Sequence, residues 1–258
     1  MLLQEPQPTQ YDLCFVIFGF PVRVHPLHWV IGAVIGARSN ISDPLPGMLI
    51  GAGVIFVSVL VHELGHAFAM RYYRERARIS LYWLGGLAIS DGSWQLSIQR
   101  KTLQQVVISA AGPAAGFAFA ALVLAIAAAA QLIVYTGFEG NGFLPFAATE
   151  KMANDKLLML FNMLIFVNIF WGILNLIPVY PLDGGQISRA LFVHFNPRQG
   201  MEQSLWLSVV TGGLAAFTGI AVFQSFFMVI MFGMMAFQSY QAIQNMRMGG
   251  GGFGGGPW

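Results

Sequence analysis

The chain has 258 residues, of which 56% are hydrophobic and only 9% charged, with a net charge of +2. A water-soluble domain carries about 25% charged residues, so this composition excludes an ordinary soluble fold and reads as an integral membrane protein with little outside the bilayer. No basic patch interleaved with aromatics points to nucleic acid, and Cys14, the single cysteine, permits neither an intrachain disulfide nor a thiolate metal cluster.

Residues 1–25 carry Glu5 and Asp12 and no basic residue before Arg23. That charge is wrong for a cleavable signal peptide, and the apolar stretch Leu13 to Phe20 is short. The chain is therefore expected to enter the membrane through its own spanning helices. LHWVIGAVIGA, residues 27–37, predicts a short apolar helix, lengthened if FVIFGFPVRVH before it packs at the interface. A full span needs about 20 apolar residues, and Met48 to Met70 is the first clear one. A basic cluster follows, Arg71, Arg74, Arg76 and Arg78, and then ISLYWLGGLAIS. Its β-branched and aromatic residues around Gly85 and Gly86 predict a short membrane-associated β-hairpin near residues 79–96.

Thr102 to Phe138 is uncharged and allows one long span, and Leu157 to Ile177 another, ended by Pro178 and Pro181. Gln203 to Met246 is uncharged for about twice the length of one span. It predicts two helices with a turn near Thr218-Gly219 or Gln224-Ser225. GGGGFGGGPW closes the chain as a flexible tail. The fold class is an all-α polytopic membrane protein of about six transmembrane helices with one short hairpin, without internal repeats or an appended soluble domain.

Six spans put both termini on one side. That side would hold Arg23, Arg71, Arg74, Arg76, Arg78, Arg100, Lys101, Arg189, Arg198 and Arg247, and the other only Arg38, Lys151 and Lys156. The positive-inside rule then places both termini in the cytoplasm. Low cysteine content and this charge bias fit a prokaryotic inner membrane.

Within the first clear span lies VHELGHAFAM, residues 61–70. An ionisable residue inside a membrane is costly and marks a functional site by default. Residues four apart share a helix face, so His62 and His66 can point two imidazoles at one ion. Glu63 lies beside them, able to act on water without being a ligand. This is the chemistry of H-E-x-x-H, a zinc metallopeptidase signature. The bland alternative is two helix histidines satisfied by backbone and neighbours.

A catalytic zinc wants three protein ligands and one open position. A third histidine six residues on is missing, since that position is Tyr72, and Glu75 lies too close along the same helix among arginines. Asp183, in NLIPVYPLDGG at residues 175–185, is better placed. Pro178 and Pro181 stop the helix, and the glycines would let Asp183 leave the helical path, although Asp-Gly-Gly alone is as readily a plain turn. Depth favours a shared site. His66 lies about 7.5 Å from the cytoplasmic end of its helix at Arg71, and Asp183 follows a helix running toward that same side. Asn175, one turn before the break, could bond a substrate backbone or an oxyanion, or simply cap its helix.

These motifs together resemble the site-2 protease family of intramembrane zinc metalloproteases. HELGH at 62–66 resembles its zinc helix, NLIPVYPLDGG at 175–185 its N-x-x-P-x-x-P-L-D-G pattern, SAAGPAAG at 109–116 its A-G-P helix, and YWLGGLA at 82–88 its membrane hairpin. The resemblance covers about residues 20–195, with one departure at Gly116, where members often carry Asn. It implies one zinc held by His62, His66 and Asp183, with Glu63 as general base. It also implies cleavage of a transmembrane protein substrate inside the bilayer. The domain reading becomes one metalloprotease domain over 1–246, its catalytic core about 46–195, with a tail at 247–258. Gly85, Gly86 and Asn175 would contact substrate, an exposed strand near 80–90 holding it extended; a plain hairpin turn also explains the two glycines. The small-residue helix Ala110 to Ala130 reads as tight packing, and His25, His28 and His194 as interfacial residues. A zinc or proton transporter is the rival from another class, and an inactive substrate-binding relative the rival within this one. The expected partners are a transmembrane protein substrate and the lipid bilayer, with a regulatory partner or a second copy of the chain as further candidates and no nucleic acid.

Overall fold

The structure is a computed structural model and describes residues 6–37, 44–83, 85–90, 101–129, 134–135, 148–149 and 155–248. It forms two compact units, Met1–Leu174 and Asn175–Trp258. Arg38, Arg100, Lys151, residues 91–96 of the expected hairpin and the Gly-rich residues 249–258 lie outside the described residues.

The first unit opens with strands where the sequence reading expects an interfacial lead into a helix. β1 (Leu13–Ile17) and β2 (Phe20–Val24) pair antiparallel, with Ile17 opposite Phe20. Phe18 and Gly19 between them have φ of +50° and +82°, the doubly left-handed turn that matches strand twist. The signal was present in the sequence. Phe20, Val22 and Val24 are buried while Pro21 is exposed and Arg23 half-buried, which is the period of two expected of a strand with one covered face.

Two helices follow, α1 (Pro26–Ala37) and α2 (Pro44–Tyr72). Each begins on a proline, at a position where the missing N–H has no helical partner to lose. α2 ends in two reinforcing bonds, Glu75 N–H to the Met70 carbonyl at 3.0 Å and Arg74 N–H to Arg71 at 2.9 Å. Arg74 takes the left-handed conformation, φ +64°, that this helix ending requires. The chain therefore turns at once into β3 (Ala77–Tyr82), which pairs parallel with β2 and antiparallel with β4 (Gly85–Ser90).

The sheet order is β1-β2-β3-β4, with β1 and β4 as its edges. Its covered side chains Val22, Val24, Ile79 and Leu81 join Val59, Leu60, Leu64 and Ala67 of α2 in one apolar cluster. The sheet thus packs on the part of α2 that carries the two histidines. The expected hairpin is real but is half of a four-stranded sheet, and the all-α reading is corrected to that extent. α3 (Thr102–Ala129) and α4 (Asp155–Asn175) complete the helices of this unit, α3 with Pro113 inside it and α4 ending at the unit boundary. A short pair, β5 (Val134–Tyr135) and β6 (Ala148–Thr149), lies between them in sequence.

The second unit holds α5 (Asp183–Phe195), α6 (Gly200–Ala221) and α7 (Phe226–Met248). The break between α6 and α7 falls at the second of the two expected places. Gln224 has φ +48°, and the Ser225 hydroxyl accepts the Met228 N–H at 3.4 Å as an N-cap. At the opposite ends of these helices, Arg247 Nε donates to Glu202 Oε1 at 3.0 Å. α5 lies where the sequence reading has only a cytoplasmic connection. Gln186, Ser188 and Arg189 make that stretch too polar for a span, which is no bar to a helix.

The protein is an integral membrane protein, mostly helical. By length and composition α2, α3, α6 and α7 can each cross a membrane, and Pro26–Ala37 and Met159–Asn175 are shorter apolar helices.

Candidate metal centre

Ser58, His62 and His66 lie four residues apart along α2 and are all buried, as one face of a helix requires. The Nε2 atoms of His62 and His66 approach to 3.2 Å, with the rings inclined at 79°. His66 Nδ1 lies 2.7 Å from the Ile108 carbonyl of α3. A carbonyl can only accept, so Nδ1 carries the proton and Nε2 turns its lone pair toward His62. Such a pair suits a shared cation, with the tautomer fixed from behind.

α3 can come this close because of two glycines. A Cβ on Gly112 would stand 2.2 Å from His66 Nε2 and 2.8 Å from His62 Nε2, and one on Gly65 would stand 2.3 Å from the Ala111 carbonyl oxygen. The A-G-P segment, read from sequence as tight packing, thus forms one wall of the imidazole site itself.

Glu63 is 4% exposed, and its side chain faces the sheet. A Cβ on Gly86 would fall 2.4 Å from Glu63 Cγ. Gly85 has φ +130° and its missing Cβ would meet Trp171 Cζ2 of α4 at 2.8 Å, so both its conformation and its space favour glycine. The first unit therefore gathers His62, Glu63, His66 and Gly86. Glu75, set aside as a ligand from sequence, instead accepts Gln104 Nε2 at 2.8 Å.

In the second unit, Asn175 is half-buried at the end of α4, and Asp183 is buried as the first residue of α5. A carboxylate in the first helical turn is favoured by the helix dipole. Gly184 and Gly185 do not swing Asp183 out of a helix, as the sequence reading expects. They begin one, and a Cβ on them would meet the Leu176 oxygen at 2.1 Å and the Val179 carbonyl carbon at 2.4 Å.

Sequence reasoning missed three residues. Gly112 is one. Asn168 of α4 is another: it is 2% exposed, and its Nδ2 donates to Ser58 Oγ at 2.9 Å. The third is His28. His194 is exposed and His25 half-buried, as interfacial residues should be, but His28 is 2% exposed and bonds the Tyr82 carbonyl at 3.1 Å.

Residues 50–217, well over half of the chain, match Peptidase family M50. The chain belongs to that family. This is the site-2 protease family that the motifs anticipate. A zinc metalloprotease of Methanocaldococcus jannaschii is 27% identical over 178 residues, covering 69% of this chain and 44% of that protein. A second relative, from Synechocystis sp., is 25% identical over 222 residues, or 77% of this chain and 51% of the other. The chain thus spans about half the length of the curated relatives it matches. Among solved structures, the site-2 protease of M. jannaschii aligns over 90% of this chain and 95% of its own, with a TM-score of 0.54 and 22% identity. The M50 chain described here therefore has the site-2 protease fold.

Proposed function

We propose that this chain is a zinc metalloprotease that hydrolyses peptide bonds of transmembrane protein substrates within the bilayer. The observation that carries the reading is the buried pair of imidazole nitrogens 3.2 Å apart beside a buried glutamate. Two ligand nitrogens on a tetrahedral zinc, each at about 2.05 Å, stand about 3.3 Å apart. The donor set fits the metal: His66 is held by the Ile108 carbonyl as zinc-ligating histidines usually are. Asp183 is the third ligand in this reading. It is buried, in a chain with few charges, and buried carboxylates are paired or coordinate metals.

When bound, zinc supplies Lewis acidity, polarising the scissile carbonyl and making water acidic enough to attack near neutral pH. Glu63 takes the proton from the attacking water and returns it to the leaving amine. The missing Cβ of Gly86 leaves the Glu63 side chain room to lie against β4. β4 is an edge strand, and a substrate unwound from its helix adds to it as a further strand, with Gly85 and Gly86 allowing close approach. Asn175 bonds the substrate backbone. The four long and two short apolar helices support about six spans, with both termini cytoplasmic and the site near that face by the arginine distribution.

The test uses the purified chain in detergent, with zinc measured per chain and cleavage assayed on single-span peptides. One zinc in the wild type and in Glu63→Gln, less in Asp183→Ala, and cleavage by the wild type alone are expected. A wild type that binds no zinc after metal is resupplied overturns the reading and returns the motif to a transporter or structural role.

A further inference from the structure

His28 presents a buried imidazole that the reaction above does not use. Its ring sits edge-on to Trp29 and Phe56, with centroids at 6.0 and 6.3 Å. Nδ1 donates to the Tyr82 carbonyl at 3.1 Å, whereas Nε2 has no hydrogen-bond partner among the described residues. A phenylalanine would fill the same aromatic cage without burying an unpaired nitrogen. Histidine is therefore costly there, and the compensation has to lie at the Tyr82 carbonyl.

That carbonyl is at a sensitive place. Tyr82 ends β3 directly opposite Gly85, and Leu81 before it is opposite Gly86, the residue whose missing Cβ makes room for Glu63. The Leu81 carbonyl is itself held by the His25 N–H at 2.9 Å. The start of α1 and the residue before it thus grip two successive carbonyls of β3, one through the His25 backbone and one through the His28 side chain. The second is the one a side-chain substitution removes.

We propose that His28 is a positioning residue: through the Tyr82 carbonyl it holds the end of β3, and with it the paired Gly85 and Gly86 of β4, against Glu63 and so keeps the general base in place. This deepens the protease reading and rests on it. Displacing Gly86 would free Glu63 without touching the imidazole pair, so the loss falls on kcat rather than on metal binding.

Three variants of the full chain test this. His28→Phe keeps the ring and loses both nitrogens, His28→Asn places an amide near Nδ1, and His28→Gln places one near Nε2. In His28→Phe and His28→Gln, kcat should fall at least about tenfold, as a misplaced catalytic group does. KM should stay within about threefold, and zinc per chain should be unchanged. Hydrogen exchange of the 85–90 amides should accelerate in the same two variants. Asn should restore wild-type kcat and exchange. Unchanged kcat and exchange in His28→Phe, or rescue by His28→Gln as complete as by His28→Asn, overturns the proposal. A wild type that cleaves nothing counts against the protease reading alone, and exchange at 85–90 then still decides whether His28 clamps the start of β4.

Discussion

Gly112 of α3 faces His66 of α2 so closely that a Cβ on the glycine would stand 2.2 Å from Nε2. No real pair of atoms tolerates that distance, and the obstacle is a nitrogen offered to the metal, not the loose end of a flexible chain. Gly112→Ala should therefore remove most of the zinc and lower cleavage by at least about 100-fold, the scale of a misplaced catalytic group. Gly116→Ala is the control on the same helix. Its Cβ would come no nearer than 3.5 Å to any neighbour, and metal content and rate should stay near wild type. Equal behaviour of the two variants would mean that the small-residue stripe serves packing alone.

Gly86 makes the complementary case. A Cβ there would strike Glu63 at 2.4 Å, and its three nearest atoms all belong to that side chain. Gly86→Ala should keep one zinc per chain while kcat falls by about 10- to 100-fold. Metal analysis beside steady-state kinetics separates the two glycines; zinc lost from Gly86→Ala would show that the hairpin supports the imidazoles rather than the base.

The parts of the site that were legible in the sequence are those in which a costly residue has no ordinary place. His62, Glu63 and His66 stand in an apolar span where only helix spacing is needed to bring them to one turn. The four long apolar helices were legible for a similar reason, since length and hydropathy set them. What escaped depends on tertiary approach. β1 and β2 are short and carry Pro21 and Arg23, so their alternation competed with an interfacial reading. The burial of His28 depends on the sheet and on Trp29 and Phe56, none of which a local pattern places around it. Gly112 looks like any small residue of a packed helix until the helix it faces is known to carry imidazoles.

Asn168 and Ser58 join α4 to α2 one turn before His62. Asn168 Nδ2 donates to Ser58 Oγ at 2.9 Å and to the Leu164 carbonyl at 2.7 Å. Interhelical hydrogen bonds of this kind inside membranes are worth about 0.6 to 1.7 kcal/mol. Ser58→Ala should cost about 1 kcal/mol of unfolding free energy, and a double-mutant cycle with Asn168→Leu should return a coupling of about the same size. Reversible unfolding in mixed micelles measures both, and additive single effects would show that the bond contributes nothing.

The N-terminal segment should respond to acid. The Asp12 carboxylate accepts the Thr9 hydroxyl at 2.6 Å, the Thr9 N–H at 3.1 Å and Arg23 Nη1 at 3.0 Å. Arg23 in turn donates through Nη2 to the Pro6 carbonyl at 2.9 Å and to Ser80 Oγ of β3 at 3.3 Å. Partial burial pushes the Asp12 pKa up, but the bonds from Thr9 and the charge of Arg23 outweigh it and hold the group below the ordinary aspartate value. The folded pKa is thus the lower of the two. The linked stabilisation is fully present above the unfolded value of about 3.9 and is lost as pH falls through the folded one. Hydrogen exchange of the β1 and β2 amides should therefore accelerate below about pH 4, after correction for intrinsic rates. In Asp12→Asn that acceleration should disappear, with faster exchange already at neutral pH. An acid response that survives in Asp12→Asn would assign it to another carboxylate.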